Sequence, residues 1–167
     1  ILDIQLADLY PVRDEAYPTS PLQTFSNFVG DSIRLGKPVI AVPQLMSWRS
    51  FEKHMTKDKS YDGSKFRYPN FEELRYFNFS AIAQGVHGIV GYSFFHAMST
   101  GGNPKWWETT CAKSFNEVKE FVATVDNPSK PVRFKRAADA NYFASYWKGK
   151  DGEYLVYVNA WPLERPR

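Results

Sequence analysis

Six residues combine a reactive or ligand-binding side chain with a telling position: Asp8 and Tyr10, Gln44 and Trp48, Tyr92 and His96. Each pair sits at or just past the end of a short apolar run. A carboxylate such as Asp8 can serve as general acid or base, or accept a hydrogen bond from a ligand hydroxyl. The amide of Gln44 both donates and accepts. Trp48, Tyr10 and Tyr92 offer flat faces for stacking together with a polar handle. His96 could contact the same ligand. Each assignment has a plainer rival. Asp8 would also suit the turn before Tyr10 and Pro11, Trp48 would also pack beneath a long loop, and Tyr92 would also fill a core.

Other chemistries find less material. Cys111 is the lone cysteine, so neither an internal disulfide nor a cysteine-based zinc site can form. His54, His87 and His96 lack metal-ligand spacing, and no cofactor motif occurs: no GxGxxG and no GxxxxGK[ST] follows a strand. The spacing supports no Ser-His-Asp or Cys-His nucleophile. Glu52, Asp58, Asp62 and Glu108 read as solvated, and Arg67 as a surface residue able to pair with a carboxylate. With 21 basic and 18 acidic residues interspersed, the chain has no basic run for a phosphate backbone, which argues against nucleic acid. No apolar stretch reaches the length of a membrane span.

The elements that must position these six residues can be read from the apolar periodicity. Residues 1–7 read as a short strand. Pro18 and Pro21 frame a helix start with Thr19 or Ser20 as N-cap, and Leu22, Phe25, Phe28, Val29 and Ile33 recur at helical spacing before Gly36. Residues 38–43 are a continuous apolar strand, and 44–68 a polar loop. Asn70 and Glu73 form the signature of a capping box, opening a helix that runs to Gly85. Residues 88–95 read as a third strand buried on both faces, and 106–125 as a long helix opened by Trp106 and Trp107, one expected to pack inward and the other to edge the cleft. This alternation points to an α/β fold with a parallel sheet. After residues 127–131 the period changes, and 132–137, 141–148 and 153–159 read as antiparallel strands, with a turn at Lys150 to Gly152. The expected division is 1–127 and 128–167.

Taken together, these stretches resemble the second half of a glycoside-hydrolase (β/α)8 barrel (a TIM barrel). Asp-x-Tyr-Pro at 8–11 resembles the end of strand six, and Gly-Lys-Pro-Val-Ile-Ala-Val-Pro-Gln at 36–44 resembles strand seven. Tyr-Pro-Asn-Phe-Glu-Glu-Leu-Arg at 68–75 and Ala-Gln-Gly-Val-His-Gly-Ile-Val-Gly-Tyr-Ser-Phe at 83–94 are similar to the helix and strand eight that close such barrels. The antiparallel run after 131 resembles the β domain that often follows.

The resemblance implies a site at the C-terminal strand ends. Asp8 would be catalytic, and Tyr10, Gln44, Trp48, Tyr92 and His96 would bind a carbohydrate. It implies no cofactor and no metal. The N-terminal half of the same barrel would be the partner that supplies the second carboxylate, from strand four. Polysaccharide-active proteins of this kind commonly work outside the cytoplasm, in the extracellular or periplasmic space. The strand-like runs near both ends of the chain add the expectation that it is a piece of a larger fold. One departure stands out. Strand seven of the large retaining clan ends in a nucleophilic Glu, where this chain has Gln44, so a non-catalytic carbohydrate-binding barrel is the alternative.

Overall fold

A computed structural model describes residues 3–12, 22–51, 66–99, 102–136 and 142–159. Within them the chain is a mixed α/β protein with two three-stranded sheets. Three parallel strands, β1 (Gln5–Asp8), β2 (Val39–Val42) and β3 (Gly88–Ile89), lie side by side in chain order. Helix α1 (Gln23–Arg34) joins β1 to β2, and α2 (Phe71–Ala83) lies between β2 and β3. The expected N-cap of α1, Thr19 or Ser20, lies outside the described residues, as do His54, Glu52, Asp58 and Asp62. The chain then forms α3 (Phe94–Met98), a turn at Pro104–Trp106, one π-helical turn at Trp107–Cys111, and α4 (Ala112–Thr124).

Past the turn at 127–131 the second sheet is antiparallel: β4 (Arg133–Arg136), β5 (Tyr142–Gly149) and β6 (Gly152–Asn159), in that order. Gly149 pairs with Gly152 across a two-residue turn, and Gly152 takes φ +147°, a region open to glycine and costly for other residues.

Helix α2 organises the packing. Leu74, Phe77, Ala81, Ile82 and Ala83 are buried around much of its girth, together with Tyr76, Asn78 and Ser80. A helix buried around most of its girth must be covered on more than one flank. Phe25 and Val29 of α1 cover one flank, the Phe25 ring lying 5.0 Å from that of Phe77. On the other flank Phe121 of α4 meets Trp147 of β5 edge-on at 5.6 Å, and Phe143, Val156 and Val158 join the same core. Inside this packing Asn78 Nδ2 donates to Ser114 Oγ at 3.0 Å, and Ser26 Oγ lies 2.8 Å from the Tyr76 hydroxyl.

Two sequence expectations change. The third apolar run does not remain a strand through residue 95. Its ladder gives way after Ile89 to a single bridge at Tyr92, and Ser93 caps α3 by accepting from the His96 backbone N–H. Nor are the parallel strands buried on both faces. Ala7, Val39 and Ala41 are sealed against the helices, whereas Ile4, Leu6 and Val90 on the opposite face are 53%, 60% and 57% exposed. The alternation is the period-two signature of a pleated sheet with one face covered.

The start of α2 is fixed electrostatically. Asn70 Oδ1 accepts from the Glu73 N–H and Glu73 returns a bond to the Asn70 N–H, both at 2.8 Å, completing the capping box. The Glu73 carboxylate also receives both terminal nitrogens of Arg67 at 2.6 Å. Glu73 is buried, while the Arg75–Glu117 pair, which ties α2 to α4, is more open to solvent. Removing one partner of a buried pair strands the other. Glu73→Ala is therefore expected to cost about 3 kcal/mol, and Arg75→Ala less than about 1 kcal/mol. Chemical denaturation of the two variants checks the contrast.

Candidate functional site

The C-terminal ends of the three parallel strands meet through Gln44. Its side chain is fully buried. Oε1 accepts from the Val12 N–H at 2.9 Å, while Nε2 donates to the Val12 carbonyl at 2.7 Å and to the Met46 carbonyl at 2.9 Å. The amide thus acts as a rung between the segment leaving β1 and the segment leaving β2. On its other side the Gln44 backbone bridges Tyr92 in parallel, with Tyr92 N–H donating to the Pro43 carbonyl at 3.0 Å. Gly91 permits this approach, since a Cβ there would stand 1.9 Å from Cδ1 of the buried Leu45.

These strand ends carry a closed circuit of five aromatic rings. Tyr10 stacks on Tyr92 with centroids 5.1 Å apart and planes 17° from parallel. Tyr10 also meets Trp48 edge-on at 6.4 Å. Trp48 then leads to Phe51 at 5.9 Å, Phe51 to His96 at 4.6 Å, and His96 back to Tyr92 at 5.7 Å. Tyr10 follows β1, Trp48 and Phe51 occupy the 3-10 turn Trp48–Phe51 after β2, and Tyr92 and His96 flank the start of α3. Offset and edge-to-face geometries of this kind suit the ring quadrupoles.

Charge and protonation at the site are simple. Asp8 is exposed at the end of β1, beside Tyr10. Burial first, and then the neighbouring Asp8 carboxylate and Tyr92, push the Tyr10 phenol far above its ordinary value, so it stays protonated. Its hydroxyl lies against Asp8 yet makes no hydrogen bond of regular length and angle among the described residues. Burial lowers the His96 imidazole below its ordinary 6.5, so the ring is neutral at pH 7. His96 Nδ1 lies in close contact with Ser93 Oγ. A serine hydroxyl donating to Nδ1 would put the ring proton on Nε2, a donor for a ligand. The peptide bond between Tyr92 and Ser93 is cis.

The six residues singled out in the sequence therefore converge, in two different capacities. Tyr10, Trp48, Tyr92 and His96 supply ring surface, and Asp8 supplies a carboxylate at its margin. Gln44 has every polar atom of its side chain committed to backbone, so it positions the others rather than facing a ligand. Phe51 is the member that sequence reasoning missed. Its signal is faint, an aromatic three residues beyond Trp48 in a polar loop. Arg67, read as a surface residue, is tied to Glu73, and Glu108 is exposed as expected. His87 is exposed and joins the sheet through its backbone N–H, which donates to Val39 O at 2.7 Å. Trp106 and Trp107 are both half-buried, Trp106 Nε1 donating to the Pro69 carbonyl at 2.7 Å and Trp107 meeting Phe94 edge-on at 4.8 Å.

Among the described residues no group of three or more His, Cys, Asp or Glu could hold a metal ion, and no helix is long and apolar enough to cross a membrane. The Cys111 thiol is buried and its acidity suppressed, with burial pushing it up to about 12. No family model, curated protein or solved structure matches the chain.

The Gln44 geometry has a direct consequence. An introduced carboxylate at this position would face two carbonyl oxygens with no donor except the Val12 N–H. Gln44→Glu is expected to lose at least about 2 kcal/mol of stability at neutral pH. A buried carboxyl has a raised folded-state pKa, so the folded variant binds more protons than the unfolded one, and its deficit grows as pH rises above about 4.3. Thermal melts of both proteins from pH 4 to 8 check this, with equal melting temperatures throughout as the contrary result.

Proposed function

We propose that this chain forms part of a glycoside hydrolase acting on an oligo- or polysaccharide. The observation that carries the reading is the closed ring circuit beside an exposed carboxylate at the C-terminal ends of three parallel strands. Parallel α/β sheets bind their ligands at that end, because the strand-to-helix loops gather there. Pyranose rings present C–H faces that pack on aromatic surface and hydroxyls that need donors and acceptors. The Tyr10 phenol, the His96 imidazole and the Asp8 carboxylate supply both.

In this reading the three strands are the last of a TIM barrel, and the bare face carrying Ile4, Leu6 and Val90 supports it. These residues lie on the face opposite the helices, where the interior of a barrel would be. The strands that would fill it belong to the N-terminal half of the barrel, which also supplies the second carboxyl group that glycoside hydrolysis requires. Asp8 acts as general acid or base, and Gln44 positions it by tying Val12 to Met46.

A second reading, a carbohydrate-binding protein without hydrolysis, is favoured by one observation. The place where retaining relatives of the resembled barrels carry a nucleophilic Glu holds an amide bonded wholly to backbone. The two readings separate in one experiment on the full protein. Asp8→Asn is expected to lower glycan hydrolysis at least about tenfold while leaving binding intact, and Tyr92→Ala is expected to weaken binding about tenfold through loss of stacking. Unchanged turnover in Asp8→Asn would remove Asp8 from catalysis. Binding with no turnover in the unsubstituted protein would establish the second reading.

A further inference from the structure

Beside the ring circuit lies a cavity of about 270 Å³, lined by Ser47, Arg49, Ser50, Phe66, Tyr68 and Asn103, with Gly102 at its edge. It shares a wall with the circuit. Ser47 and Arg49 flank Trp48 in the 3-10 turn, Ser50 precedes Phe51, and the Tyr68 hydroxyl donates to the His96 carbonyl at 3.3 Å. A ligand resting on the five rings can therefore reach into it.

Among the described residues the lining is rich in donors and holds no carboxylate. Ser47 Oγ accepts from the Arg49 N–H at 3.2 Å, which sets the turn and leaves its own hydrogen to donate. Asn103 Oδ1 accepts from the Trp106 N–H at 3.0 Å, so its Nδ2 hydrogens remain for a ligand. Gly102 holds this loop in place, because a Cβ there would stand 2.3 Å from the Ala97 carbonyl oxygen.

Arg49 gives the cavity its charge, and it differs from its counterparts. Arg34, Arg67 and Arg75 each hold a carboxylate of the chain, at 2.9, 2.6 and 2.6 Å. Among the described residues the Arg49 guanidinium holds none. A guanidinium beside hydroxyl and amide donors is suited to a planar or tetrahedral oxyanion.

We infer that this cavity receives the anionic group of an acidic glycan, a uronate carboxylate or a sulfate ester, on the sugar next to the one stacked over the rings. The inference rests on the carbohydrate reading above and names its substrate class. The cavity is small for a drug-sized ligand and matches a single charged sugar unit. Hydrogen bonds to charged groups are worth enough that losing this one should cost about ten- to a hundredfold in affinity.

The test is calorimetric binding of the full protein to paired probes: oligogalacturonate and its methyl ester, a sulfated galactan oligosaccharide and its desulfated form, and neutral xylo- and cello-oligosaccharides. The expected result is a preference of at least about tenfold for one charged member over its uncharged twin, weakening with added salt. Arg49→Gln should abolish that preference and Arg49→Lys should restore part of it, while Arg34→Gln, on an exposed face of α1, should leave it unchanged. Which pair discriminates tells carboxylate from sulfate. Charged and uncharged twins bound equally well, with no effect of Arg49→Gln, would overturn the anionic assignment and leave the carbohydrate reading standing. Failure to bind any probe would overturn both.

Discussion

The rim of the parallel sheet depends on one side-chain amide. Beyond Asp8 and Val42 the ladder between β1 and β2 ends, and the two segments would be free to part. Gln44 prevents this by imitating a backbone peptide, offering one acceptor and two donors to the Val12 and Met46 main chains. In a buried setting such groups cannot exchange partners with water, so the arrangement is satisfied only when both segments are in register. Tyr10 lies two residues before Val12 and Trp48 two residues after Met46. The spacing of their rings is therefore set by an amide that touches neither of them.

The same economy shapes the sheet. Its helix-facing side is built from small and branched residues, Ala7, Val39 and Ala41, because Phe25, Phe77 and Leu74 need the space. Its other side presents Leu6, Ile4 and Val90 with no helix over them. Half-exposed aliphatic residues scattered over a surface need no explanation, but a set sharing one pleat of a parallel sheet does. Parallel sheets bury both faces because their strands are apolar in both directions. In the barrel we propose, further strands would lie against this pleat, so it belongs to the same argument as the ring circuit.

Much of this was legible in the sequence where local physics governs the outcome. Asn70 and Glu73 announce a helix start because the capping box is made within four residues. The Lys150–Gly152 turn is legible because its geometry demands glycine. The ends of β1 and β2 were legible because apolar runs stop where side chains reach the rim. Most of what escaped was decided by distant contacts, and one case by a local cap. Residues 88–95 have the composition of a buried strand, yet Ser93 capping the His96 N–H diverts the chain into a helix. Gln44 has the chemistry of a ligand-binding amide, and only the arrival of Val12, thirty-two residues away in sequence, commits it to backbone. Phe51 joins the circuit through His96, a neighbour that no local pattern supplies.

Electrostatics then divide the rim into two regions. Around Tyr10 the environment opposes added negative charge, since burial and the Asp8 carboxylate together hold the phenol protonated. Around Arg49 it favours negative charge, with a cation among neutral donors and no acid among the described lining residues. Between them lies the neutral surface of Trp48, Phe51 and His96, the last kept uncharged by its partial burial. The acidic glycan we propose matches this division: flat and neutral over the rings, hydroxylated toward Asp8, and anionic toward Arg49. A nucleotide reverses that logic, since its charge lies on a phosphate chain that prefers glycine-rich backbone and helix N-termini. The proposed polyhydroxylated ring with a single acidic substituent would meet each region with the group it favours.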